Sequence, residues 1–107
     1  KSYHVMAIDN DQHVLGVGRI HPISNQQAQI RYMAVNNNHQ RLGIGSSLLE
    51  ALERKAAEWS ATTIVLNARN SHLNFYLKHG YETVEASHLL YNVIEHTSMK
   101  KEVVQDH

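Results

Sequence analysis

The chain has 107 residues, ten basic and ten acidic side chains, and no cysteine. A chain of this length suits one small domain with a single core. The charge balance argues against a nucleic-acid or acidic-membrane partner held by net charge, and the missing cysteine excludes disulfides, thiolate metal sites and a cysteine nucleophile. No apolar run approaches about eighteen residues and no signal-like amino terminus is visible, so a soluble, cytoplasmic domain is expected.

Tyr3–Ile8 reads as a first strand, ended by Asp9, Asn10 and Asp11, whose side chains favour turns. Residues 14–20 pair back as its hairpin partner. The run from His21 through Pro22 to Asn25 breaks that strand, and Gln27–Val35 makes a third. Asn36, Asn37 and Asn38 form a polar connector. From Ile44 onward Leu48, Leu49, Leu52, Ala56 and Trp59 recur at helical spacing, which turns one stripe toward a sheet, while Glu50 and Arg54 pair on the opposite face. Residues 62–66 are a β-branched run too short for a helix, and they follow the helix as a parallel crossover strand does. Asn70 or Ser71 caps a second helix that ends at Gly80. Residues 81–85 and 89–96 read as two more strands, and residues 100–107 as a frayed polar tail.

The third strand meets the first helix through Gly43 and Gly45. Glycine lets the backbone turn tightly and a ligand approach the main chain. The first turn of a helix leaves about four N–H groups without intrahelical partners and carries the positive end of the macrodipole, so a phosphate or pyrophosphate is the natural occupant. A dinucleotide fingerprint would need glycine in place of Leu48 and an acidic residue about twenty positions on, where Val65, Leu66 and Asn67 stand. A nucleoside-triphosphate loop would need lysine after the last glycine, where Ser46 stands. Two glycines alone fit an ordinary tight turn equally well; their flanks decide.

Those flanks, residues 28–45 and 67–82, together resemble the GNAT superfamily of acetyl-CoA-dependent N-acetyltransferases. Gln40, Gly43 and Gly45 occupy the defining places of the family's Gln/Arg-x-x-Gly-x-Gly/Ala loop. Phe75, Tyr76, Lys78, Gly80 and Tyr81 fit its Phe-Tyr-x-Lys-x-Gly-Phe/Tyr helix end. The blocks stand in the family's order at about its separation, and the likeness runs from Tyr3 to about Lys101. It implies an α/β fold with a mixed (α+β) sheet: an antiparallel meander, a helix, a parallel strand, a second helix and a terminal hairpin. It also implies that the family's usual first strand and two helices are missing, and Lys1 is not an initiator residue. The chain is therefore expected to be a single, incomplete GNAT-like domain whose amino-terminal part lies elsewhere. Its first strand would then be an open edge, to be covered by a second copy in a homodimer or by a segment of a longer chain.

The activity implied by the resemblance is direct transfer of an acetyl group from acetyl-CoA, the co-substrate, to the primary amine of a small molecule or peptide. By the same likeness the backbone of Gln40, Arg41, Leu42, Gly43, Ile44, Gly45 and Ser46 holds the pyrophosphate. Met33, Ala34 and Val35 pair with the pantetheine arm as an added strand would, and Asn70 and Tyr76 complete the cofactor site. The N–H of Met33 is the family's usual oxyanion donor. Tyr76 matches the tyrosine that serves the departing CoA sulfur. A phenol near pKa ~10 protonates a thiolate near ~8.5 only uphill, by about 2 kcal/mol, so a donated hydrogen bond is expected rather than full proton transfer.

The sequence also departs from the family's pattern. Gln29 stands four residues before Met33, where several members place a glutamate base, and an amide cannot take up the proton. His21, Glu82 or a water chain are the remaining routes; His21 is the first candidate, because a histidine titrates near pH ~6.5. Arg69 replaces a commonly found asparagine, and His72 and His79 replace small or apolar residues on the helix of Tyr76. The nine histidines include no His-Glu-x-x-His pair, and His72 and His79 lie two turns apart, so no metal site is expected. Two other functions fit the same residues. One is a CoA-binding domain without turnover, motivated by Gln29; the other is a structural or dimerising module, motivated by the exposed first strand.

Overall fold

Alternation of inward and outward side chains along three successive strands builds the first half of a six-stranded sheet. In the computed structural model, which describes residues 1–36, 43–84 and 96–103, β1 (Tyr3–Ile8), β2 (Val14–Pro22) and β3 (Gln27–Val35) form an antiparallel meander. The helix α1 (Ile44–Glu58) follows, and β4 (Thr63–Arg69) returns parallel to β3. A 3-10 turn (Asn70–His72) leads into α2 (Leu73–Lys78); β5 (Glu82–Thr83) and β6 (His96–Glu102) complete the strand order β1-β2-β3-β4-β6-β5. This is the mixed α+β architecture expected from the sequence. No helix among the described residues is long and apolar enough to cross a membrane.

The stripe of α1 is buried as its spacing demands: Leu48, Leu49, Leu52 and Ala56 join Ile20, Ala28, Ile64 and Met99 in one core. The helix comes so near β2 that a Cβ on Gly16 would lie 2.9 Å from Leu48 and 3.0 Å from the Ala34 carbonyl oxygen. The inner face of β2 is stripped of side chains there to admit α1. α2 lies on the same side of the sheet, tied to α1 by Ser46 with His79 and by Tyr81 with Glu53. Glu53 also receives Lys101 at 3.2 Å. Burial, and after it the Glu53 charge, pushes the Tyr81 phenol well above its ordinary range, so it remains the donor. On the opposite side Met6 and Ile8 are exposed.

Several boundaries differ from the sequence expectation, each for a local reason. β2 does not break at His21 but runs through Pro22, which faces Ala28 at the strand's end, where a missing N–H disturbs the ladder least. β4 extends three residues beyond Leu66 to Arg69. No side chain caps the turn at Asn70 or α2; Asn70 Oδ1 instead accepts the Thr97 hydroxyl at 2.6 Å. Gly80 ends α2 in the left-handed region at φ 93°. Glu50 and Arg54 form no ion pair among the described residues, and the charges of α1 go to Lys55–Glu58 at 2.9 Å and to Glu53–Lys101.

The carboxy-terminal tail is the largest correction. Residues 89–95, most of one expected strand, lie outside the described residues; the strand present is β6, which begins at His96 and carries Lys100 and Lys101 within it. These positions are not frayed, because Met99 is fully buried and the Val103 N–H donates to the Thr62 carbonyl at 2.8 Å. Residues 104–107 of that tail lie outside the described residues.

Candidate active site

One irregularity in β3 opens the sheet. β3 pairs with β4 from Gln27 opposite Thr63 to Ile30 opposite Leu66, and beyond that point the strands part. On its other edge the β2 register jumps from Arg19 opposite Tyr32 to Ile20 opposite Ile30, so Arg31 has no facing residue. An extra residue of this kind bends its strand and increases the local twist. It also slips the alternation: Ala28 and Ile30 face inward before the bulge, Met33 and Val35 after it. The result is a cleft of about 480 Å³, with residues 31–35 on one wall and residues 67–69 on the other, within the size range of small-molecule sites.

Tyr76 closes the helix side of this cleft. It is 8% exposed, and its ring stands edge-on to Phe75 and Tyr81, at centroid distances of 5.1 and 5.7 Å. Burial raises the phenol pKa, so the group stays a neutral donor at ordinary pH. Its hydroxyl has no hydrogen-bond partner among the described residues and is left for whatever enters the cleft.

The start of α1 carries the second element of the site. Gly43 is the N-cap, at φ 77° and ψ 8°, and no side chain among the described residues caps this end. The Gly43 carbonyl accepts the Ser47 N–H at 3.1 Å, which leaves the N–H groups of Ile44, Gly45 and Ser46 as the orphan donors of the first turn. Among the described residues, chain neighbours apart, no atom lies within 4 Å of where a Gly43 Cβ would stand. Gly45 is glycine for a different reason than expected: a Cβ there would lie 3.3 Å from the Phe75 ring and 3.7 Å from Val35. It admits α2 rather than a ligand.

A histidine fixes that junction. Ser46 Oγ lies 2.8 Å from His79 Nε2, and His79 Nδ1 lies 2.7 Å from the Phe75 carbonyl oxygen. A carbonyl only accepts, so Nδ1 is the donor there, and Nε2 is left to pair with the Ser46 hydroxyl. The helix start is thereby clipped to the helix that carries Tyr76.

The structure thus brings Met33, Ala34, Val35 and Tyr76 together in one cleft. Gly43, Ile44, Gly45 and Ser46 stand at the helix start, joined to it through Val35 and Phe75. Gln40, Arg41 and Leu42 lie outside the described residues. Asn70, engaged by Thr97, does not line the cleft. Nor does Glu82, which is exposed beside Lys100 at 3.9 Å.

His21 pairs opposite Gln29 on β2, one strand away from the opening. Its own burial, and then the charges of Arg31 and Arg19, hold its pKa below the ordinary histidine range. It is therefore a neutral ring at pH ~7, but it does not line the cleft. We expect His21→Ala to leave the acid limb of the kcat/KM profile unchanged from about pH 5 to 9. A limb centred below pH ~6.5 that disappears in the variant would make His21 the base after all.

Arg31, Asn67 and His96 line the cleft without having been expected there, alongside Arg69 and His72. A signal for the bulge does exist in the sequence: the apolar residues Ile30 and Met33 are three apart in a strand whose period is two.

The known proteins similar to this chain point the same way as the geometry. Residues 1–103 match the family described as the acetyltransferase (GNAT) domain. YjcF, an uncharacterized N-acetyltransferase of Bacillus subtilis strain 168, is 30% identical over 102 residues, which cover 95% of this chain and 71% of that protein. Among solved structures, aminoglycoside 6'-N-acetyltransferase complexed with coenzyme A superposes with a TM-score of 0.85 at 17% identity, over 99% of this chain and 75% of that one. Nourseothricin acetyltransferase gives 0.84 at 17% identity, over 96% of this chain and 66% of its own. Identities this low establish the shared fold alone. Matched by the family across nearly its whole length, and similar to a curated N-acetyltransferase over most of it, the chain belongs to the GNAT acetyltransferase family.

Proposed function

We propose that this chain transfers an acetyl group from acetyl-CoA to a primary amine by direct attack in the β3–β4 cleft, in the cytoplasm where that co-substrate is at hand. The observation that carries this reading is a splayed strand and a buried tyrosine, whose hydroxyl has no partner among the described residues, in one cleft, with the start of α1 adjoining it through Val35 and Phe75. The diphosphate suits the orphan donors of Ile44, Gly45 and Ser46, beside the open side of Gly43. The amide-bearing arm suits the backbone of Met33, Ala34 and Val35, as a strand would.

During transfer the amine nitrogen forms a bond to the thioester carbon and the carbon–sulfur bond breaks. The Met33 N–H supports the charge that gathers on the carbonyl oxygen, and the Tyr76 hydroxyl donates to the departing sulfur. The proton lost from nitrogen goes to solvent in this reading, since neither Gln29 nor His21 lines the cleft. The complex of a fold relative with coenzyme A supports the co-substrate. That relative's aminoglycoside acceptor is not carried over, because Arg31, Arg69, His72 and His96 line this cleft and no carboxylate does among the described residues. A polycation would meet like charge.

Gln29, in place of a family glutamate, favours a second reading, in which the chain binds CoA without turnover. Calorimetric titration with CoA, followed by thiol release from acetyl-CoA over a panel of amines, separates them. Binding with release supports transfer, and binding without release from any amine supports the second reading. No binding removes both.

A further inference from the structure

The cleft has two chemically different sides. Met33 and Val35 on β3, and Leu66 and Ala68 on β4, turn toward the helices, where Tyr76 and the start of α1 stand. Arg31 and Tyr32, and Asn67 and Arg69, are the exposed, outward positions of the same strands. His96, opposite Arg69 on β6, adds to this outward side. With CoA anchored at α1, the helix side belongs to the donor, and the amine has to reach the thioester from the outward side.

That outward side is basic, although the chain's charges balance overall. Neither Arg31 nor Arg69 forms an ion pair among the described residues. Among the described residues Arg31 donates its side chain only to the neutral Gln29 amide oxygen, at 3.2 Å. Among the described residues, the carboxylates on this side of the sheet stand outside the cleft: Glu82 lies beside Lys100 and Glu102 accepts the Thr63 hydroxyl at 3.2 Å. Arg19, opposite Tyr32 on β2, reinforces the same sign one strand away. Guanidinium groups on facing strands present planar donor forks matched to carboxylate and phosphate oxygens, and the half-exposed Tyr32 ring offers an apolar wall for a short carbon skeleton.

Resting on the transfer reading above, we infer that the acceptor is a small amine that carries an anionic group, a carboxylate or a phosphate, near its amino group, and that Arg31 and Arg69 hold that anion. These two residues determine acceptor specificity; they take no part in the bond-making step.

The test compares acceptors for the full chain by thiol release at fixed acetyl-CoA. Aminoalkanoic acids of increasing length and the corresponding aminoalkyl phosphates are set against the carboxamides and the plain alkylamines. The expected result is a preference of about tenfold or more in kcat/KM for at least one anionic acceptor over its neutral counterpart, expressed in KM. A preference confined to acids or to phosphates identifies the anion. Arg69→Gln and Arg31→Gln should each bring that ratio toward one, and Arg69→Lys should recover part of it. The inference is overturned if neutral amines serve as well as anionic ones, if the preference survives both glutamine substitutions, or if CoA binds and no anionic amine is acetylated. Absence of CoA binding in a prior titration is a different failure: it removes the transfer reading and this inference with it.

Discussion

Gly43→Val is expected to weaken CoA binding about 100-fold or more, because the N-cap of α1 sits at φ 77°. A left-handed backbone costs an ordinary L-residue about 1–2 kcal/mol, and a β-branched side chain sits there with particular strain. Valine would relieve that strain by moving to negative φ, which swings the first-turn N–H groups away from the position an anion needs. The two methyl groups would also enter space that no described residue beyond the chain neighbours occupies within 4 Å of the Cβ, the space assigned to the diphosphate. Together these effects approach the ~2.7 kcal/mol that a 100-fold change requires. Isothermal calorimetry decides it, and unchanged affinity would sink the assignment of α1 as the anion site. Gly43→Asn separates the two causes: asparagine tolerates left-handed angles, so retained binding assigns the effect to backbone, and loss assigns it to bulk.

Tyr76→Phe should lower kcat about 100-fold, the scale of a positioned proton donor, while leaving CoA affinity within about twofold. The variant keeps the ring packing against Phe75 and Tyr81, and it strands no partner, since the hydroxyl has none among the described residues. Stability should therefore hold, and any loss of rate belongs to the chemistry. The sign of the pKa shift matters here. Burial raises the phenol, so it remains protonated through the working range and donates to the sulfur as charge leaves the thioester. If thiol release with an accepted amine continues at the full rate, Tyr76 is a packing residue.

What could be read from the sequence follows the strength of each local repeat. α1 was plain because burial at Leu48, Leu49, Leu52 and Ala56 follows a period that only a helix produces. β6 was hidden because its inward positions are largely polar. Met99 is its one fully buried apolar residue, while Thr97 and Lys101 satisfy their polar ends on Asn70 and Glu53. Long-range partners of that kind leave no mark on hydropathy. Of the residues at the cleft and the start of α1, Met33, Val35, Gly43 and Tyr76 stand in short sequence motifs. Arg31 and His96 are placed instead by the fold, one by a register slip and the other by pairing across from Arg69. The two glycines of the loop looked alike in sequence, and only the fold separates a left-handed turn at Gly43 from a close packing contact at Gly45.

The short seam between β3 and β4 has a mechanical meaning. Four register pairs join the leaf β1-β2-β3 to the leaf β4-β6-β5, the Gln26 carbonyl accepts the Thr62 N–H beside them at 2.8 Å, and the helices add ties through Glu53 to Tyr81 and Lys101 and through Ser46 to His79. An extended arm laid along residues 31–35 would act as the missing length of that seam, so the co-substrate would serve as a structural member as well as a reactant. Saturation at 100 times the dissociation constant would stabilise the folded protein by about 2.7 kcal/mol through mass action alone. Each departure of free CoA would reopen the seam beyond Ile30 and Leu66, and turnover would then be a cycle of splicing and unsplicing one sheet.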